Sequence, residues 1–451
     1  MGTKIIEMIL SLALLAILAR LLEPKDFGIF AIVLAIQALF QPMLDMGLGD
    51  AYIKADNPTQ ELKNSFFTLN VAQGGFNFIL LLILAPIVSN IYDNEILWSL
   101  ISVFALSVIF ISVSRQANSQ LLRDKRFDAL MKISLIANII TFIISVYFAY
   151  QDLGVWVLVI KTMVLNISIM FLIYFYTKAR YSFVKFEIIK SYILELKFGL
   201  KVFANRILNG VFNASDKFLF GKLFGVELLG HYSNAQQIAR MSDTHIRMPF
   251  TTAIYSHLIR YSPENKKFFY DKFASVMLLI VSTFGGMLIL EGDILLINFL
   301  GDKWVFASDY VQPLGLFGVA MAIQGIYIII SMSEDDMINQ IKKMTGSIAI
   351  LFSLIAITYI FKLYVMSFIY LYSISIFLYW TIFLYFELLK YEIKERYFLK
   401  TLLILVGLIG SLFYIKSLIS LSAIYEVIFI GSLYISIVIM VIHYVYKKVK
   451  S

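Results

Sequence analysis

The sequence contains no cysteine, which excludes disulfide bonds, thiolate-bound metals and cysteine catalysis. Charge is also scarce, because Asp, Glu, Lys and Arg make up 15% of the chain, whereas about a quarter is usual in a soluble protein. Hydrophobic residues make up 60% of the chain. This composition indicates an integral membrane protein with no segment left over for a soluble domain.

Motifs for two common kinds of site chemistry are missing as well. The sequence has no glycine-rich loop followed by Lys and Ser or Thr, which argues against ATP hydrolysis. Its four histidines do not have the spacing of a metal site, so we expect neither a metal nor another cofactor. Any energy coupling would therefore use an ion gradient of protons or sodium.

Apolar stretches recur from about residue 5 to about residue 446, each near the 20 residues that cross a bilayer as a helix. They predict an all-α polytopic protein with about fourteen transmembrane helices. An even number of spans places both termini on the same side of the membrane. The first stretch continues into the next span without a cleavage site, so it predicts a transmembrane helix and not a signal peptide.

The distribution of basic residues predicts which side this is. Alternate loops are rich in Lys and Arg, whereas the loops between them are nearly bare, and 90–95 and 151–153 have none. Because basic loops stay in the cytoplasm, we predict that both termini are cytoplasmic and that the protein lies in a bacterial cytoplasmic membrane. The net charge of +8 then reflects topology and membrane lipids, and nucleic acid is not expected as a partner.

An internal repeat accompanies this pattern. Residues 19–30, ARLLEPKDFGIF, match residues 221–232, GKLFGVELLGHY, in the order of small, basic, leucine, glycine and aromatic positions. Both segments join an outward to an inward span, which predicts two six-helix lobes related by a parallel pseudo-two-fold repeat. Two short turns could also agree by chance. The predicted domains are an N-terminal lobe (1–176), a cytoplasmic linker (177–197), a C-terminal lobe (198–390) and two further helices with a basic tail (391–451).

Charged side chains inside predicted spans are candidates for a functional site, because they are costly in lipid. Polar residues recur at helical spacing in the seventh and eighth predicted spans, at about 199–220 and 228–250. These two spans contain four cations and two carboxylates, which predicts a wet cavity that holds an anion. The predicted substrate-binding cations are Arg206, Lys217, Arg240 and Arg247, with Lys161 from the first lobe. The predicted polar and coupling residues are Asn209, Asn213, Asp216, Gln236, Asp243, Glu7 and Asp45.

The alternative is that Asp216 and Asp243 pair with the arginines and serve only to hold helices together. In the first lobe, Asn70 and Asn77 share one helix face, which favours hydrogen bonds to neighbouring helices. The spacing of the charged residues is compatible with substrate binding and with ion pairing between helices.

The segments 18–28 (LARLLEPKDFG) and 45–49 (DMGLG) strongly resemble the start of Wzx-type polysaccharide flippases of the multidrug/oligosaccharidyl-lipid/polysaccharide exporter superfamily. Further resemblance lies in 153–156 (LGVW) and 216–225 (DKFLFGKLFG). It implies a transporter that flips an undecaprenyl-pyrophosphate-linked oligosaccharide by alternating access, for O-antigen, capsule or exopolysaccharide synthesis. Polysaccharide polymerase and chain-length machinery would be its partners.

Two other functions are alternatives to the flippase. A drug or cation antiporter of the same superfamily should have a mostly acidic and aromatic pocket, which the surplus of cations does not favour. A membrane-embedded glycan polymerase or ligase should carry its catalytic residues on a sizeable outer loop. The longest predicted outer loop, about 291–309, is too short for that role.

Overall fold

Helices make up most of the part of the chain that the structure describes. A computed structural model describes residues 2–44, 47–55, 58–185, 207, 210–212, 214–248, 250–251, 263–334, 336–390, 397–418 and 423–450. Ten helices in these ranges are long and apolar enough to cross a membrane. The prediction of an all-α polytopic membrane protein is confirmed. The count of fourteen helices and the symmetry of the lobes stay predictions.

The chain divides into two compact units, residues 1–230 and 231–451. The lobe boundaries predicted near residues 176 and 198 stay predictions. The first unit contains a helix over residues 214–224 and the helices α1 Gly2–Leu21, α2 Pro24–Phe40, α3 Leu48–Lys54, α4 Gln60–Tyr92, α5 Ile96–Arg123, α6 Phe127–Ala149 and α7 Trp156–Thr177.

Helix α8, Val226–Ala239, begins at the end of the first unit and leads into a six-residue π-helical segment, Ser242–Arg247. The remaining helices of the second unit are α9 Pro263–Leu300, α10 Val305–Ser333, α11 Met337–Phe361, α12 Val365–Leu389, α13 Tyr397–Leu418 and α14 Ala423–Lys450.

In the first unit, α4 packs along α5, α5 along α7, α7 along α6, and α6 along α1. Small residues allow the closest of these approaches. Gly74 of α4 lies against Ser112 of α5, where an added methyl group would overlap the serine side chain. At the end of α5, the Arg123 guanidinium donates hydrogen bonds to the carbonyls of Tyr52, Ile53 and Ala55, which satisfies the last turn of α3.

The two segments of the sequence repeat meet in this unit. A methyl group added to Gly28 would overlap the carbonyl of Val226, and one added to Gly230 would overlap the carbonyl of Pro24. The contact is reciprocal, because residues 24 and 226, and residues 28 and 230, are equivalent positions of the repeat. Proline at the first position of α2 fits there because the first N–H groups of a helix have no internal partner.

In the second unit, α9 is the helix to which α13 and α14 attach. The Asp271 carboxylate accepts the backbone N–H groups of Tyr397 and Phe398 at the start of α13. Further along, the Lys416 ammonium donates to the Leu290 carbonyl and pairs with Glu291. Both contacts join residues 126 apart in sequence, so α9 and α13 run parallel in constant register.

Helix α14 is held by a third polar contact to α9. The Tyr434 hydroxyl donates to the Ser282 carbonyl over a distance of 2.6 Å, and its ring lies where a side chain on Gly286 would be. The two helices beyond the predicted C-terminal lobe are thus fastened to α9 by specific hydrogen bonds.

Candidate functional site

The π-helical segment that follows α8 carries a buried ion pair. A π-helical turn is wider than an α-helical one, and such turns occur often at functional sites because they redirect side chains. Asp243 and Arg247 lie within this turn and are both buried. Their side chains form an ion pair between Oδ1 and Nε at 2.5 Å.

The surroundings of Arg247 fix its guanidinium in place. Its Nη1 lies 3.4 Å from the Thr251 hydroxyl, which in turn donates to the Arg247 carbonyl. The guanidinium packs against Gly325 of α10, where a side chain of any size would collide with it. Gly325 is therefore part of the site, although only the folded arrangement identifies it.

The sequence predicts a surplus of cations around this site, but the Asp243–Arg247 pair adds none. The Asp243–Arg247 pair is internally neutral, and both partners belong to one helical stretch, four residues apart. Ion pairing, one of the two roles compatible with the spacing, is present at Arg247. Its predicted role in binding substrate stays a prediction.

Two further predicted residues lie one and two turns earlier. The buried Gln236 amide donates to the hydroxyl of Tyr232, the aromatic residue that ends the second repeat segment, at 2.9 Å. Arg240 follows at the end of α8, half-buried, and its carbonyl accepts from the Thr244 hydroxyl.

The remaining predicted residues belong to the first unit or lie outside the described residues. Asp216 is buried in the helix over 214–224 and accepts the backbone N–H of Lys217. Lys161 is half-buried on α7, and Glu7 is buried on α1. Outside the described residues lie Arg206, Asn209, Asn213 and Asp45.

A second polar feature, a buried seam, runs between α4 and α5. Asn70, Asn77, Ser112 and Gln116 are each at most 2% exposed. The side-chain nitrogen and oxygen of both Asn77 and Gln116 have no hydrogen-bond partner among the described residues. The interhelical hydrogen bonds favoured by the sequence are thus not formed by Asn77 within that part of the chain.

The second unit also contains an apolar cavity of about 450 Å³. It lies among α9, α10, α12 and α13, and its walls include Leu316, Phe377, Leu405 and Phe413. Pro313 of α10 is one of the lining residues. A cavity with this lining is suited to hydrocarbon and not to a charged group.

The sequence is similar to that of known polysaccharide biosynthesis proteins. The family described as "Polysaccharide biosynthesis protein" matches residues 17–309 of this chain. The teichuronic acid biosynthesis protein TuaB of Bacillus subtilis (strain 168) is 24% identical over 285 residues, which are 62% of this chain and 58% of that protein. The lipopolysaccharide biosynthesis protein WzxC of Escherichia coli (strain K12) is 20% identical over 70% of this chain and 64% of that protein. The chain thus spans less than two thirds of the length of both relatives.

Two solved structures share the fold. The lipid II flippase MurJ in an inward closed conformation aligns with a TM-score of 0.72 and 15% identity, covering 100% of this chain and 99% of that one. An inward-facing multidrug resistance transporter of the MATE family and MOP superfamily aligns with a TM-score of 0.63 and 14% identity, covering 86% and 94%. At these identities the similarity establishes the fold.

Proposed function

Because the chain belongs to the polysaccharide biosynthesis protein family, we propose that it is a flippase for a lipid-linked oligosaccharide. The specific cargo that we propose is an undecaprenyl-pyrophosphate-linked oligosaccharide, moved from the cytoplasmic to the outer face of a bacterial cytoplasmic membrane. The observation that carries the proposal is the family match together with the fold of a lipid II flippase along the whole chain.

The physical problem that such a protein solves is the charge of the pyrophosphate. A bare pyrophosphate is too costly to carry through hydrocarbon, whereas guanidinium and ammonium groups can hold it in a wet cavity. Alternating access would then move the opening of the cavity from one face to the other around that site. We propose Arg206, Arg240, Arg247, Lys217 and Lys161 for this binding role.

The lipid tail poses the opposite problem, because it must stay in an apolar environment. The 450 Å³ cavity among α9, α10, α12 and α13 has the lining that part of a polyprenyl chain requires. It therefore supports a lipid-linked cargo, in which head and tail travel in different surroundings. Proton or sodium coupling through Asp216, Glu7 or Asp45 is part of the proposal.

Within this proposal Asp243 has a specific role as the counter-ion that positions Arg247. Replacing Arg247 with Gln would leave Asp243 buried and unpaired, at a cost of about 3–5 kcal/mol in unfolding free energy. Replacing Asp243 with Asn in the same chain should restore stability. Transport decides the role, because recovery of transport in the stable double variant would show that Arg247 does not bind the cargo.

The flippase itself is tested with the full chain in vesicles. Vesicles would contain a fluorescent short-chain polyprenyl-pyrophosphate disaccharide, and an impermeant reductant would bleach the label in the outer leaflet. We expect the protein to expose the inner-leaflet label as well. Bleaching that stops at the outer-leaflet fraction, as in protein-free vesicles, would contradict the proposal. Counterflow of a cationic dye in the same vesicles would instead favour the antiporter.

A further inference from the structure

The chain turns back on itself directly after α7. Thr177 is the last residue of α7, and Lys178 adopts a left-handed conformation with φ of 49° while its N–H donates to the Tyr174 carbonyl. A residue in this conformation ends a helix and reverses the chain direction. Residues 178–185 then run beside the start of α4.

Three hydrogen-bonded contacts hold this segment in register with α4. The Gln60 amide donates to the Arg180 carbonyl, the Asn64 amide donates to the Ser182 hydroxyl, and the Val184 N–H donates to the Thr68 hydroxyl. Four residues of helix rise about 6 Å, and two residues of extended chain span about 6.6 Å. The segment is therefore extended and follows the axis of α4.

Aromatic side chains fasten the other side of the segment. Tyr181 stacks on Phe67 of α4 with ring centroids 5.1 Å apart, and Phe183 contacts the same ring. Burial raises the pKa of the Tyr181 hydroxyl above its usual value, so the hydroxyl stays protonated and donates to the Gln120 side chain. The backbone that carries Lys178 and Arg180 is thus held by both α4 and α5.

A cavity of about 530 Å³ lies beside this segment at the start of α4. Its lining contains three cations, Lys63, Lys178 and Arg180, and no carboxylate. None of the three forms an ion pair with a residue in the described part of the chain. Gln60, Asn64 and Ser182 add polar groups at its wall, and the N-terminal end of a helix also favours an anion.

We propose that this basic pocket, formed by Lys63, Lys178 and Arg180, binds a phosphate group. Three cations line the same cavity, and phosphate can use both the guanidinium fork and the ammonium groups. In the predicted topology the pocket lies at the cytoplasmic membrane surface, where phosphate occurs in lipid headgroups, in polyprenyl pyrophosphate and as free anions. The inference goes beyond the proposed function, because binding at this pocket does not require that the protein flips its ligand.

The pocket can be tested with two triple variants that remove the same charge. The pocket variant is Lys63→Gln, Lys178→Asn and Arg180→Gln, in which Asn suits the left-handed conformation at 178. The control variant makes the same three kinds of change at exposed residues outside the pocket, in or next to a predicted cytoplasmic loop. These are Lys125→Asn, whose φ is 54°, Arg126→Gln and Lys132→Gln.

Binding to the full chain in detergent would be measured from the rise in unfolding temperature with ligand concentration. The probes are short-chain phosphatidylglycerol, short-chain polyprenyl pyrophosphate and inorganic pyrophosphate, with diacylglycerol as the phosphate-free lipid. We expect the pocket variant to bind the best phosphate probe at least about tenfold more weakly than wild type, and the control variant to bind it like wild type.

The ranking of the three phosphate probes identifies the source of the ligand. If phosphatidylglycerol binds most tightly, the ligand is a membrane lipid headgroup. If polyprenyl pyrophosphate binds most tightly, the ligand is a carrier lipid, and if inorganic pyrophosphate does, the ligand is a free anion. Equal weakening in both triple variants would overturn the proposal, because general charge would then explain binding. Unchanged binding in the pocket variant would overturn it as well. Arg180→Lys, a conservative change of an exposed side chain, should retain most of the affinity and guards against misfolding as the cause.

Discussion

The ion pair that fastens α13 to α9 allows a quantitative prediction about stability. The Glu291 side chain is fully buried, and its carboxylate lies 3.3 Å from the ammonium of Lys416, whose side chain is 18% exposed. Asp293 lies 3.8 Å from the same ammonium. Replacing Lys416 with Met keeps the length of the side chain and removes its charge, so a buried carboxylate loses its closest cation.

The expected loss follows from the distance and the burial. At 3.3 Å and an effective dielectric constant of about 20, the attraction between the two charges is about 5 kcal/mol. Partial relaxation reduces this figure, and removing one partner of a buried pair typically costs about 3–5 kcal/mol. We therefore expect Lys416→Met to lower the free energy of unfolding by about 3–5 kcal/mol. Adding Glu291→Met should recover most of it, because the fully buried carboxylate is then gone and the remaining one, Asp293, has a side chain that is 36% exposed.

The measurement is a double-mutant cycle on the purified chain, using denaturant titration in detergent. Lys342→Met is the control, since this lysine is exposed and its replacement should change stability by less than about 1 kcal/mol. A double variant as unstable as the Lys416→Met single variant would refute the reasoning. The same holds if Lys416→Met is no less stable than the control.

Three further predictions follow from individual contacts. Gly74→Ala should destabilise the protein by about 1–3 kcal/mol through overlap with α5, whereas Gly75→Ala, with open space around it, should not; equal unfolding temperatures would contradict this. Asp271→Ala should cost about 1–3 kcal/mol by leaving two N–H groups of α13 without their acceptor, and an unchanged unfolding curve would argue against that cap. In intact cells, a single cysteine at position 94 should react with an impermeant thiol reagent and one at position 125 should not, because Asn94 and Lys125 lie on opposite predicted sides; the reverse labelling would overturn the orientation.

Much of the fold was predictable because apolar length and loop charge are local properties of the sequence. A span shows itself in about 20 consecutive residues, and the start of α2 is marked by Pro24 at its first position. The repeat predicted that the turns at Gly28 and Gly230 are equivalent. It did not predict that they touch, since equivalence under a two-fold repeat sets no distance between the two positions.

The candidate site was harder to predict from the sequence than the fold. Four-residue spacing predicted that Asp243 and Arg247 share a face, but a shared face serves an ion pair and a ligand site equally well. The π-helical turn and the contact with Gly325 depend on the tertiary structure. The basic pocket could not be predicted, because Lys63 and Lys178 are separated by about half of the first unit and only the reversal after α7 brings them together.

The reciprocal contact of Gly28 and Gly230 has a consequence for how the family can change over time. Each glycine faces backbone of the other hairpin, so no neighbouring rotamer can move aside to admit a side chain. An enlargement at one position must push the two helices apart, and the other position then loses its own contact. Positions 28 and 230 should therefore covary across related sequences, with small residues kept or lost at both together. An alignment of relatives in which the two positions vary independently would contradict this prediction. It would show that the two helices can cross at a different point along their axes.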